Sequence, residues 1–69
     1  MDAHRVELMT RDIIAAHGFP CQLVGVADRD GRWHITVRLP PGRVIQFDVP
    51  NDTPAKTRRL ISGRLEQEC

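Results

Sequence analysis

The sequence predicts an α+β domain of order α-β-β-β-α, a three-stranded antiparallel meander with both helices on one face. Three observations carry that prediction. An apolar stripe at helical spacing runs through the segment ending at His17. The stretch from Trp33 to Leu39 alternates apolar and polar residues. Asp30-Gly31 and Pro40-Pro41-Gly42 are turn sequences short enough to make the flanking strands antiparallel neighbours.

The first helix is expected from about Asp2 to His17. Val6, Met9, Ile13 and Ala16 fall on its apolar stripe, with Ile14 at the edge. Glu7 and Arg11 lie four apart on the other side in the favourable order. Gly18 suits a left-handed stop, Phe19 can pack back on the last turn, and Pro20 prevents continuation. The first strand is expected over Cys21 to Ala27, with Val24 and Val26 inward. The second runs from Trp33 to Leu39, with Trp33, Ile35, Val37 and Leu39 inward and His34, Thr36 and Arg38 outward. The third runs from about Arg43 to Val49, with Ile45, Phe47 and Val49 inward.

A second helix begins near Thr53, capped by Asp52 or Thr53 and opened by Pro54. Its stripe is Leu60, Ile61 and Leu65, with Thr57 alongside. Gly63 weakens it by about 1 kcal/mol relative to alanine. Both helices have one apolar stripe and the sheet one apolar face, so a two-layer sandwich buries all three.

The chain has 69 residues, enough for one domain, spanning residues 1–69, with a modest core and little room for a deep pocket. The net charge of +1 argues against a general nucleic-acid coat protein, though not against a local basic patch. Cys21 and Cys69 form no disulfide framework, and charges interrupt the start of the chain, so a reduced, cytoplasmic setting without a secretory signal is expected. No apolar run approaches membrane-spanning length. His4, His17, His34, Cys21 and Cys69 show no metal-ligand spacing, no glycine-rich phosphate loop follows a strand, and no metal or cofactor is predicted.

Candidate functional residues gather on the outward face of the sheet. A two-residue Asp30-Gly31 loop pairs Val26 with Ile35 and Val24 with Val37, and sets Ala27, Gly25 and Leu23 beside His34, Thr36 and Arg38. A three-residue Pro40-Pro41-Gly42 loop sets Asp48 beside His34 and Gln46 beside Thr36. A loop two residues longer would instead set Asp48 beside Thr36. His34 with Asp48 would make a base and its orienting group, and Lys56 and Arg59 add positive charge on the second helix. The same residues also read as the ordinary wet face of a small sheet. No aromatic residue faces outward, which argues against base stacking of the RNA-recognition type.

The element order is that of the double-stranded-RNA-binding domain. Three stretches more closely resemble the HicA-type toxin family: Ala16-His17-Gly18-Phe19 at the helix end, Gly31-Arg32-Trp33-His34 in the frame of the family's Gly-x-x-His motif, and Val49-Pro50 leading into the basic segment Thr53 to Leu60. The resemblance implies a small ribonuclease controlled by a partner antitoxin, with His34 promoting attack of a ribose 2′-hydroxyl on the adjacent phosphate. Arg32 and Trp33 depart from the family's usual polar residues there. Two functions follow as expectations. The first is a non-catalytic binding or adaptor domain for a protein or RNA, with self-association along the edge strands as a variant. The alternative is a HicA-like endoribonuclease using His34.

Overall fold

The computed structural model describes residues 1–69. The elements are α1 (Ala3–His17), β1 (Gln22–Arg29), β2 (Arg32–Leu39), β3 (Arg43–Pro50) and α2 (Pro54–Glu68), in the expected order α-β-β-β-α. The sheet is antiparallel with strand order β1-β2-β3. No helix is long and apolar enough to cross a membrane.

Asp2 stands just outside α1 as its cap, accepting the N–H of Arg5 at 2.9 Å. At the other end Gly18 adopts φ 66°, a left-handed conformation that a side chain would strain. The N–H of Gly18 then reaches the Ala15 carbonyl at 3.3 Å, and that of Phe19 reaches Ile14 at 3.1 Å. The buried stripe is Val6, Thr10 and Ile13, whereas Ala16 is exposed, contrary to expectation. Thr10 takes the interior place because its hydroxyl donates to the Val6 carbonyl at 2.8 Å and leaves no polar group unmet. Thr57 in α2 does the same, donating to the Asp52 carbonyl at 3.3 Å.

The first turn has the predicted two-residue form, with Asp30 and Gly31 both at positive φ (52° and 75°) and Arg29 opposite Arg32. The three-residue second turn pairs Leu39 with Arg43, which sets His34 opposite Asp48 and Thr36 opposite Gln46.

β1 departs from expectation at one point. Val26, Ala27 and Gly25 oppose Ile35, His34 and Thr36 as predicted, but the register then slips, so Leu23 rather than Val24 opposes Val37. Val24 is the extra residue of a β-bulge. Leu23 takes the core position that the alternation assigned to Val24, and Val24 is left 53% exposed. Gln22 rather than Leu23 then stands beside Arg38.

One hydrophobic cluster unites Val6 and Ile13 of α1, Leu23 of β1, all four inward residues of β2, Phe47 and Val49 of β3, and Ile61 and Leu65 of α2. Thr53 caps α2, its hydroxyl accepting the N–H of Lys56 at 3.3 Å, and the helix continues through Gly63 to Glu68. A Cβ built on Gly63 meets nothing within 4 Å. Gly63→Ala is therefore expected to stabilise the domain by about 1 kcal/mol, through helix propensity and a less flexible unfolded chain. Urea denaturation checks this as a higher midpoint at unchanged slope.

Candidate functional site

The outward side chains of the sheet form four rungs across its three strands. Reading from the first turn, they are Arg29–Arg32–Pro50, Ala27–His34–Asp48, Gly25–Thr36–Gln46 and Gln22–Arg38–Val44. Every one of these residues is exposed or half-buried, whereas Trp33, Ile35, Val37 and Leu39 on the other face of β2 are buried. This division follows from the strict alternation of β2 and from turns that lock its neighbours to it.

The second rung holds the tightest polar contact of the face. Nδ1 of His34 lies 2.6 Å from Oδ1 of Asp48, with the His34 side chain 15% exposed and that of Asp48 42% exposed. When Nδ1 carries the hydrogen and donates it to Asp48, Nε2 keeps its lone pair for another partner. As a structural element alone, such a cross-strand pair contributes about 0.2–1 kcal/mol.

The arginines are distributed unevenly between paired and unpaired. Arg11, Arg43, Lys56, Arg58 and Arg64 each reach a carboxylate. Arg58 does so across the helices, donating to Asp12 of α1 at 2.5 Å. Arg5, Arg29, Arg32, Arg38 and Arg59 form no ion pair, and three of these five stand on the outward sheet face. Arg29 and Arg32 are direct cross-strand partners, so two like charges face each other with no carboxylate paired to either. That arrangement is unfavourable by itself. Arg38, at the far end of β2, borders a cleft of about 500 Å³ lined also by Pro20, Cys21, Gln22, Pro40 and Pro41.

The structure thus brings His34, Thr36, Arg38, Gln46 and Asp48 onto one surface. Arg59 lies on α2, where it lines a shallow cleft between that helix and the β3 edge with Asp48, Val49 and Pro50. Lys56 stands apart, its ammonium 3.3 Å from Asp52 at the start of α2. The Thr53 N–H, and then Lys56, hold the Asp52 carboxyl below the ordinary carboxylate range. Arg29 and Arg32 also belong to this surface, although neither is among the candidate residues read from the sequence. The signal available was parity: each is an even number of residues from Ala27 or His34 along an unbroken strand. No group of three or more His, Cys, Asp or Glu side chains is arranged to hold a metal ion.

No known protein family, curated protein or solved structure matches this chain.

Proposed function

We propose that this is a non-catalytic RNA-binding domain whose outward sheet face holds the phosphate backbone of a single strand. The observation that carries the reading is the opposed pair Arg29 and Arg32, with Arg38 three rungs along, all without a carboxylate partner. An anion seated on this face would relieve the repulsion and accept charge-assisted hydrogen bonds. The small side of β1, Gly25 and Ala27, leaves a backbone room to approach. With no outward aromatic residue, recognition runs through charge and backbone rather than stacked bases.

The test is fluorescence anisotropy of a labelled single-stranded RNA titrated with the protein at several salt concentrations. Three phosphate contacts predict that log affinity falls with log salt at a slope of about −2. Absence of binding at low salt overturns the reading.

The His34–Asp48 contact favours one second reading, the HicA-like endoribonuclease. In that chemistry Nε2 of His34 takes the proton of a ribose 2′-hydroxyl as its oxygen attacks the adjacent phosphorus and the 5′-oxygen leaves, while Asp48 steadies the imidazolium. The two readings separate in one incubation. A binding domain leaves the RNA intact. Cleavage by the wild type that is lost in both His34→Ala and Asp48→Asn establishes the nuclease instead.

A further inference from the structure

The two edges of the sheet are not equivalent. β1 carries the bulge at Val24, which interrupts its ladder and adds local twist. β3, by contrast, stays in unbroken register with β2 over all 8 of its residues. Hydrogen-bond parity then says which backbone groups of β3 are spare. The Asn51 N–H bonds the Gly31 carbonyl at 3.1 Å, so the odd-numbered residues of β3 are the ones that exchange bonds with β2. Val44, Gln46, Asp48 and Pro50 therefore turn their backbone groups to the free edge. Pro50 fits that parity, having no N–H to give to β2. No cap, turn or side-chain hydrogen bond of the domain reaches the spare N–H groups of Val44, Gln46 and Asp48.

We propose that this edge receives the β3 of a second copy of the chain, antiparallel about a two-fold axis at Gln46. The choice of a second copy rests on self-complementarity. With Gln46 opposite Gln46 of the partner subunit, Val44 stands opposite the partner's Asp48, and the reverse. Every spare N–H on both strands then finds a carbonyl. The other two-fold registers do worse. An axis at Asp48 opposes like charges, and one at Phe47 sets Val44 against the partner's Pro50, which has no N–H to return. An axis at Val44 or Ile45 runs Asp48 past the start of the partner's strand. On the inward face the Gln46 register sets the half-buried Ile45 beside the partner's Phe47, an aromatic–β-branched pair. The half-buried Leu60 lines the cleft between α2 and this edge, so burial of apolar surface extends from strand to helix. Two three-stranded sheets become one continuous sheet. Its outer edges are the bulged β1 strands, so the assembly closes at two copies. The outward face of each copy stays open, and the pairing does not depend on the RNA reading.

The experiment is sedimentation velocity of the RNA-free chain over a range of concentrations. The expected result is a mass that climbs from 7.8 kDa towards twice that value. Gln46→Pro removes the N–H at the axis, which has no partner within the domain, and is expected to leave the chain folded and monomeric. Circular dichroism reads the folding. Gln46→Lys and Gln46→Glu keep the backbone N–H and carry the test if the proline variant unfolds. Each alone opposes like charges at the axis and should dissociate roughly fivefold more readily than wild type, whereas an equimolar mixture of the two should recover at least the wild-type affinity. In samples mixing isotope-labelled and unlabelled copies, nuclear Overhauser effects are expected between Ile45 and the partner's Phe47. A 7.8 kDa species at every concentration up to about 1 mM overturns the proposal and leaves the edge to an extended segment of a different protein. A dimer whose affinity is unchanged in Gln46→Pro, or that shows no recovery when the charged variants are mixed, overturns it as well.

Discussion

Replacing Arg32 and Arg38 together with alanine is expected to weaken single-stranded RNA binding by about 100-fold or more at low salt. Hydrogen bonds to charged groups contribute about 1.5–3 kcal/mol each, and roughly 1.4 kcal/mol is a factor of ten. The salt dependence should shrink as well, from a log–log slope of about −2 to about −0.7, because one phosphate contact in place of three releases fewer counterions. Arg5→Ala is the control. It removes one positive charge from α1, as Arg32→Ala alone does from the sheet, at a residue that is also exposed and unpaired, and should leave binding unchanged within about twofold. If Arg5→Ala weakens binding as much as Arg32→Ala does, net charge and not the sheet face governs affinity. Fluorescence anisotropy and urea denaturation on the same samples separate lost binding from lost folding.

Trp33→Ala is expected to remove a large share of the domain's stability, the heaviest loss of any single truncation in the core. Trp33 is 2% exposed and is flanked by Asp28 and Val49 across the sheet, at the end of the core nearest the first turn. Truncating a buried tryptophan costs about 3–5 kcal/mol through lost transfer energy and the cavity left behind. A domain of this length has a total stability of only about 3–10 kcal/mol. The indole N–H is buried without an acceptor, so no hydrogen bond is lost with it. Circular dichroism and the dispersion of amide resonances read the outcome. A cooperative urea transition within about 1 kcal/mol of wild type would show that the core repacks around the gap.

Much of the sheet was legible because its turns are chemically explicit. Asp30-Gly31 allows one tight loop, and Pro40-Pro41-Gly42 a slightly longer one, so the pairing of His34 with Asp48 follows by counting. A turn governs register only until something interrupts the ladder. At Leu23 and Val24 two apolar neighbours compete for one inward position, and hydrophobicity alone does not choose between them. Gly25 was the available sign, since a glycine inside a strand often marks a bulge. Thr10 was missed for a related reason: a threonine reads as polar until its hydroxyl is seen bonded to its own helix.

The candidate site divides the same way. Which residues share the outward face is a matter of parity, and parity is written in the sequence. Which arginines remain unpaired depends on where distant carboxylates come to rest. Asp12 of α1 engages Arg58, and Glu68 reaches Arg43 and Arg64, while no acid reaches Arg29, Arg32 or Arg38.

The bulge at Val24 also bears on how the chain can change length. Strands ordinarily tolerate neither insertion nor deletion, because one residue more or less turns every later side chain to the wrong face. Here Leu23 opposes Val37 and Gly25 opposes Thr36, with Val24 spare between them. Deleting Val24 would leave those partners adjacent in a regular ladder, with every other residue of β1 keeping its face and neighbour. The strand therefore carries its own slack, and a shortened relative of this domain could differ by one codon here yet present the same surface.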